Sequence, residues 1–162
     1  MTTRTAGDAF YGPNATALAP AAPTAVAMLP TVHRDLCAAA LRLLPRESGG
    51  VLGGRRRGSE LRVLEFVALE NRADADVAGR RFAFDPLEFL AARARLLARG
   101  LEVLGFAHSH PFGAPRPSTQ DRAELWRDCL QVITAPDAGG ACALAAFWAA
   151  ARGFTALPLV TR

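Results

Sequence analysis

The stretch LEVLGFAHSH, residues 101–110, decides how the remaining segments of this chain are arranged. Its first seven residues are mostly apolar and predict a buried strand with two histidines at its exit. Because side chains alternate between the two faces of a strand, we expect His108 and His110 to share one face and Ser109 to occupy the other. Two imidazoles on one face of a strand end are candidate metal ligands.

A third candidate ligand follows a loop rich in Pro and Gly. Pro117 precedes a predicted helix that begins near Ser118 and runs toward Trp126, and Asp121 lies on the same helix face as Ser118. Two neutral imidazoles and one carboxylate are a typical catalytic zinc set, with the fourth position open for water. Two simpler interpretations stay open: a packed histidine on a strand, and Ser118 with Asp121 as a capping box of the helix.

Such a site needs a group that takes and returns a proton, and two glutamates are candidates. Glu102 lies on the histidine strand but about 20 Å along it from His108, at a rise of about 3.3 Å per residue. Glu47 is the better candidate, because it opens a Gly-rich apolar strand that permits close backbone approach. Without the histidine pair, an exposed turn acid would be the preferred interpretation of Glu47.

These positions together resemble the JAMM (MPN+) metallopeptidases. Their pattern is an upstream Glu, then His-Ser/Thr-His, a spacer, Ser, and Asp three positions after that Ser. The chain matches it with Glu47, the triplet His108-Ser109-His110, the spacer 111–117, Ser118 and Asp121. No motif position departs from the pattern, and the resemblance covers about residues 31–160.

The resemblance implies a role for each matched side chain. His108, His110 and Asp121 would bind one zinc ion, with a water completing the tetrahedron. Glu47 would act as general base toward that water and then as acid toward the departing amine. Ser118 would donate a hydrogen bond to the developing oxyanion. The implied reaction is hydrolysis of an amide bond.

The implied partner is a ubiquitin-like protein, such as a small sulfur carrier ending in Gly-Gly. The leaving group would be an amino acid, a peptide or a protein amine. A narrow cleft beside an exposed strand edge would accept the extended tail by strand addition, with 72–80 as a mobile flap. Two other functions are compatible with the sequence: a non-catalytic scaffold of the same fold, and a DNA-associated relative of the family. The sequence is compatible with a monomer and with a homodimer.

Composition is that of a single folded domain with a tail. The chain has 162 residues, of which 51% are hydrophobic and 21% charged. Residues 1–29 are rich in Ala, Pro and Thr and are interpreted as a flexible tail without a secretory signal. Residues 30–162 are interpreted as the metallopeptidase domain. Helices and strands mix without strict alternation, which favours an α+β fold, an α/β/α sandwich. The resemblance implies a similar fold, a curved mixed sheet flanked by helices, as in MPN domains and cytidine deaminases.

Further elements follow from periodicity and from Pro and Gly positions. Helices are predicted over 31–44 and 86–99. Strands are predicted over 48–54, 61–71, 81–84, 129–134, 141–150 and 154–160.

Cysteine usage and charge bound the compartment and the partners. Cys37, Cys129 and Cys142 show no paired spacing, which indicates a reducing compartment such as the cytoplasm. The net charge is +4, but its only basic cluster, Arg55-Arg56-Arg57, falls in a predicted hairpin turn. No aromatic residues interleave with it, so no nucleic acid partner is expected. No stretch is long enough to span a membrane.

Overall fold

The computed structural model describes residues 21–124 and 126–162, which form three helices and eight strands. The helices are α1 (Pro30–Leu43), α2 (Pro86–Ala98) and α3 (Thr119–Ala123). The strands are β1 (Ala25–Met28), β2 (Gly49–Arg57), β3 (Glu60–Leu69), β4 (Glu102–Ser109), β5 (Cys129–Pro136), β6 (Cys142–Ala150), β7 (Gly153–Leu157) and β8 (Leu159–Thr161).

The described strands build one strongly curved mixed sheet, in the order β7-β6-β5-β4-β2-β3-β1-β8. Its two edge strands, β7 and β8, are neighbours in the chain and are separated only by Pro158. Leu157 pairs with Ala146 of β6. Leu159 pairs with Val26 of β1, near the opposite end of the strand order. Because adjacent residues pair at opposite ends, the sheet curls until its two edges meet.

Each face of the central strands is covered by a different helix. Val51 of β2 packs in one buried cluster with Leu96 of α2. The next residue, Leu52, packs in a second cluster with Leu36 of α1. This alternation follows from the two-residue repeat of a strand. The expected α+β fold, a curved mixed sheet flanked by helices, is therefore confirmed.

The boundary of the predicted N-terminal tail is wrong for residues 25–29. β1 pairs in parallel with β3 and β8, and both Val26 and Met28 are fully buried. A four-residue strand between Pro23 and Pro30 is too short to show a repeat, so its composition resembles that of a tail. The part of the prediction that concerns residues 1–20 lies outside the described residues.

The arginine cluster is not a turn. Arg55, Arg56 and Arg57 are the last three residues of β2, and Arg57 pairs with Glu60 of β3. The turn itself is Gly58-Ser59, where Gly58 has a φ of +60°. Arginine side chains can keep their charged ends in solvent at an exposed strand end. The turn predicted from the charge of this cluster therefore lies a few residues too early in the chain.

Three other predicted elements need correction. Residues 81–84 do not form a strand. The single strand predicted over 154–160 is divided at Pro158 into β7 and β8. Helix α3 ends at Ala123 rather than continuing toward Trp126.

Helix α2 has nearly its predicted bounds because its end signals are strong. The Asp85 side chain accepts a hydrogen bond of 2.8 Å from the Leu87 backbone N–H, Pro86 occupies the first turn, and Gly100 with a φ of +67° follows the helix. Within residues 21–124 and 126–162, no helix combines the length and apolar character needed to cross a membrane.

Candidate metal centre

The two histidines lie at the end of β4, which is hydrogen-bonded between β2 and β5. His108 is opposite Gly49 of β2, and the His110 backbone N–H donates to the Thr134 carbonyl at 2.7 Å. Ser109 is fully buried, and its Oγ accepts a hydrogen bond of 2.8 Å from the Ser48 backbone N–H. The predicted alternation is confirmed, since the two imidazoles meet while Ser109 ties β4 to the residue before β2.

The three predicted ligands converge on one point. The Nε2 atoms of His108 and His110 are 3.1 Å apart. Asp121 Oδ1 lies 3.0 Å from His108 Nε2, and Asp121 Oδ2 lies 3.2 Å from His110 Nε2. In the described residues this is the one group of three such side chains whose ligand atoms lie within 4.8 Å of one another.

The donor set and spacing fit a zinc ion. Tetrahedral bonds of about 2.0–2.1 Å would hold the ligand atoms about 3.3–3.4 Å apart. The distances among His108, His110 and Asp121 are a few tenths of an ångström shorter. A small outward movement of the three side chains would therefore accommodate the ion.

Hydrogen bonds outside the cluster orient its members. His110 Nδ1 lies 3.1 Å from the Ala114 carbonyl oxygen, and because that oxygen can only accept, Nδ1 carries the proton. In the neutral ring this leaves the Nε2 lone pair directed into the cluster. Asp121 Oδ2 accepts from the Ser118 backbone N–H at 2.6 Å, while Ser118 Oγ accepts from the Asp121 backbone N–H at 3.1 Å.

The capping box and the metal cluster are thus compatible uses of the same side chains. Ser118 caps α3 and Asp121 completes the box. The Ser118 hydroxyl accepts a bond in the cap and keeps its own proton available for donation. The carboxylate of Asp121 still contacts both imidazoles.

The electrostatics of the cluster favour a positive charge. Burial disfavours the ionised form of Asp121, but hydrogen bonds from His108 and His110 outweigh it and hold the pKa of Asp121 well below its ordinary value. Burial also disfavours protonated His110, yet its bonds to Asp121 and to the Ala114 carbonyl raise its pKa above the ordinary value. A cation placed among these groups would make the same interactions that now favour protons.

Glu47 reaches this cluster from a distant part of the chain. The Ser109 backbone N–H donates to the Ser48 carbonyl at 2.8 Å, which sets Glu47 beside the strand end that carries the histidines. Glu47 is only 4% exposed. Burial raises its pKa to about 7; the charge of His110 opposes this rise, while those of Asp121 and Glu124 add to it.

Close backbone packing supports this approach, as the glycines of β2 predicted. A Cβ on Gly49 would lie 2.7 Å from the Ala107 carbonyl oxygen and 2.7 Å from the Phe82 ring. Only a residue without a side chain allows β2 and β4 to pair at this distance beneath Phe82.

Asn71 is a supporting residue that the sequence did not reveal. It is buried, and its Nδ2 donates to the carbonyl oxygens of Glu47 at 3.0 Å and Arg81 at 2.8 Å. Its Oδ1 accepts from the backbone N–H groups of Ala73 at 3.0 Å and Ala83 at 3.2 Å. A single asparagine after an apolar strand carries no motif, so no sequence signal would have identified it.

Hydrogen bonds also connect Glu47 to segment 72–80, which the sequence predicts to be a mobile flap. The Arg72 backbone N–H donates to the Ala83 carbonyl at 2.7 Å, which closes the base of the segment. Ala78 is fully buried, and its carbonyl accepts from the Glu47 backbone N–H at 2.7 Å. In the structure the segment forms a wall of the site and is hydrogen-bonded to the Glu47 backbone.

Two cavities open beside the cluster. A cavity of about 670 Å³ is bordered by Glu47, His110, Phe112 and Ser118, among others. A smaller one of about 70 Å³ is bordered by Glu47, His108 and Asp121, with aromatic side chains. Their walls come largely from loops, and β4 is paired on both sides, so the expected strand edge is not at the site.

The five side chains predicted to form the site therefore lie together: Glu47, His108, His110, Ser118 and Asp121. Glu47, His108 and Asp121 border the smaller cavity. Glu47, His110 and Ser118 border the larger one.

Known proteins share parts of this sequence and its fold. A Thermus thermophilus protein named a probable TtuB-protein conjugate cleaving protease is 35% identical over 88 residues, which are 54% of this chain and 55% of that protein. The Mus musculus deubiquitinase MYSM1 is 38% identical over 72 residues, 44% of this chain and 8% of that protein. The chain thus spans about half, or much less, of the length of these curated relatives.

A solved structure and a family match extend the similarity. The solution structure of a Desulfitobacterium hafniense protein has a TM-score of 0.76 and 25% identity, over 85% of this chain and 92% of that one. Residues 30–152 match the family described as prokaryotic homologs of the JAB domain. Because this match extends over well more than half of the chain, the protein belongs to the prokaryotic JAB-domain family.

Proposed function

We propose that this protein is a zinc-dependent metallopeptidase that hydrolyses the amide bond after the C-terminal Gly-Gly of a ubiquitin-like protein. The observation that carries the proposal is the convergence of His108, His110 and Asp121 beside the buried carboxylate of Glu47. A scaffold has no use for such a set. The names of two relatives, a conjugate cleaving protease and a deubiquitinase, support the same class of bond.

His108, His110 and Asp121 are the proposed zinc ligands. When bound, zinc supplies a Lewis acid that polarises the scissile carbonyl and makes a water nucleophilic near neutral pH. The protein orients this set through the Ala114 carbonyl on one imidazole and through the capping box on the carboxylate.

Glu47 is the proposed general base. Its burial raises its pKa to about 7, which suits a group that takes a proton from water and returns it near neutral pH. One carboxylate oxygen would accept the proton of the attacking water and then deliver it to the nitrogen of the leaving amine. Such transfer contributes about 10²–10⁴ in rate. The Asn71 and Ala78 bonds hold the Glu47 backbone in place for both steps.

Ser118 is the proposed donor to the oxyanion. Its hydroxyl borders the larger cavity beside His110 and keeps a free proton despite its capping bond. Removal of one such donor typically costs about 10²–10³ in rate.

The larger cavity is the proposed channel for the carrier tail. Gly79 lines it, and a Cβ there would meet the Pro45 carbonyl at 2.9 Å and the Phe112 ring at 3.4 Å. Gly79 thus packs against the Pro45 backbone with no side chain between them, and a cavity of about 670 Å³ admits an extended tail. Phe112, at 76% exposure, offers the carrier an apolar contact at the entrance.

The test uses a purified carrier that ends in Gly-Gly joined to an amine. Zinc-loaded protein is expected to release the amine, and a chelator should stop the release until zinc is restored. Mass spectrometry of the products identifies the bond that is cut. Absence of cleavage by the zinc-loaded protein, across carriers and amines, would reject the proposal.

Glu47→Gln is the matched control, because it preserves the shape of the side chain and removes its basicity. Turnover should collapse while one zinc per chain remains, as measured by elemental analysis. The same analysis separates the peptidase from the scaffold alternative, for which no stoichiometric zinc is expected.

A further inference from the structure

Helix α2 is apolar on both of its faces. Its inner face is buried against the sheet through three side chains, Phe89, Ala92 and Leu96. Its outer face carries the three most exposed leucines of the described residues, Leu87 at 71% exposure, Leu90 at 53% and Leu97 at 51%. A surface helix that buries one face normally carries polar residues on the other, so the outer face of α2 needs a separate explanation.

The outer face of α2 is apolar along its whole length. At 100° per residue, a sector of about 120° opposite the buried side chains contains only leucine and alanine. We define the α2 outer face by these exposed residues, which are Leu87, Leu90, Ala91, Ala94, Leu97 and Ala98. The charged residues of the helix, Glu88, Arg93 and Arg95, lie to the sides of this sector.

The spacing along the α2 outer face is that of an interface between two helices. A central row, Leu87, Ala91, Ala94 and Ala98, advances by four, three and four residues. This is the seven-residue repeat of helices that pack side by side at a shallow angle. Leu90 and Leu97 are seven residues apart and flank the row on one side.

We propose that the α2 outer face binds the same face of a second copy of this chain, with the two helices antiparallel in a symmetric homodimer. A two-fold axis near Ala92 and Arg93 makes every contact occur twice. The inference goes beyond the proposed function and does not depend on it, since both cavities of the site are lined by residues outside α2.

Side-chain size is complementary in this register. Leu87 faces the partner's Ala98, and Ala91 faces the partner's Ala94. A large side chain thus meets a small one along the central row, which allows the helices to pack closely. Leu90 packs on the partner's Leu97 beside the row. All three exposed leucines are then covered.

Charge favours the antiparallel orientation. Glu88 and Arg95 lie seven residues apart on the same side of the α2 outer face. An antiparallel pair brings Glu88 near the partner's Arg95 twice, whereas a parallel pair brings like charges together. Each residue already has a partner in its own chain, Arg72 for Glu88 at 2.5 Å and Glu65 for Arg95 at 3.1 Å. The added attraction is therefore small, and these charges set orientation more than affinity.

The size of the contact sets the expected affinity. The 13 residues of α2 make a helix about 20 Å long. One such pair of helices covers less than the about 800 Å² per partner that is typical of stable complexes. We therefore expect a reversible dimer with a Kd of about 1–100 µM.

Analytical ultracentrifugation of the full chain over about 1–500 µM tests the proposal, because wild-type protein should pass from monomer to dimer in this range. Leu90→Glu should raise the Kd about tenfold or more, since two carboxylates would be buried without partners. Leu97→Glu should do the same. Val160→Glu is the matched control, because Val160 has a similar exposure of 46% but lies on the edge strand β8. It should leave the Kd unchanged.

Two results would overturn the proposal. One is a monomer at every concentration, which would leave the α2 outer face to another occupant, such as residues 1–20 or a different protein. The other is a dimer that the Leu90→Glu and Val160→Glu variants weaken equally, or that neither of them weakens.

Cysteine cross-linking tests the orientation. Ala91→Cys and Ala94→Cys proteins are treated with a mild oxidant separately and as a mixture, with wild-type protein as the background for the native cysteines. Antiparallel pairing predicts a disulfide-linked dimer of the two variants in the mixture, and none above background from either variant alone. Linked dimers of each variant with itself would instead show parallel helices and contradict the proposed register.

Discussion

The side-chain amide of Asn71 donates a hydrogen bond of 3.0 Å to the main-chain carbonyl of Glu47. The same amide also donates to the main-chain carbonyl of Arg81, which lines both cavities. The backbone of the proposed base and the wall that carries Arg81 are therefore held by one buried side chain.

Asn71→Ala is expected to lower kcat by about 10–100-fold, because a shift of about 1 Å in a reacting group can cost that much. It leaves buried carbonyl and N–H groups without partners, so the free energy of unfolding should fall by at least about 2 kcal/mol. Zinc content should stay at one per chain, since Asn71 bonds to the backbone of the wall rather than to a proposed metal ligand. If kcat is unchanged while stability falls, Asn71 is a structural residue without a positioning role.

Glu47→Gln is expected to stabilise the metal-free protein at high pH. Burial raises the pKa of Glu47 to about 7 from 4.5. As the pH rises from about 4.5 to 7, the unfolded chain releases this proton while the folded one retains it, so the folded state loses stability. Above pH 7 the loss is complete, at about 3 kcal/mol.

Urea unfolding of both proteins in excess chelator checks this. The variant should be the more stable one at pH 8, and the difference should vanish near pH 4. A constant difference across this range would show that the pKa of Glu47 is not raised in the folded protein.

Ser118→Gly is expected to separate the helix-capping role of Ser118 from its proposed role as a hydrogen-bond donor to the oxyanion. Glycine is nearly as good an N-cap as serine and costs only a few tenths of a kcal/mol. The hydroxyl is lost, so kcat should fall by about 10²–10³. Ser118→Thr keeps both the cap and the hydroxyl and should retain most of the activity. Parallel melting curves and steady-state kinetics measure the two effects, and a rate that follows stability alone would refute the oxyanion role.

Gly49→Ala is expected to disturb the metal centre through the backbone. Its Cβ would lie 2.7 Å from the Ala107 carbonyl, on the strand residue next to His108. Overpacking of this kind costs about 1–3 kcal/mol, and the displaced strand end should bind zinc more weakly. Gly139→Ala, where the nearest atom is a flexible Asp137 oxygen at 3.3 Å, is the control. Zinc titration of both variants decides whether strand spacing sets the ligand geometry.

The local features of the site could be predicted from the sequence because they depend on short-range geometry. The shared face of His108 and His110 follows from the repeat of a strand. The Ser118 and Asp121 pair follows from the repeat of a helix. Helix α2 could be bounded because Pro86 and Gly100 act on the residues next to them. Residues 25–28 could not, since four residues are too few to show any repeat.

The sequence by itself therefore determined which side chains share a face, which elements they occupy and, through the resemblance, that Glu47 belongs with them. Only the tertiary structure decided that Asn71 holds the base, that Arg81 and Glu124 meet across the smaller cavity, and that 72–80 is a tied wall. The physical reason is the separation along the chain of the residues that interact. Dihedral preferences act over a few residues, whereas contacts such as Ser48 with Ser109 depend on the register of strands that are far apart in the chain.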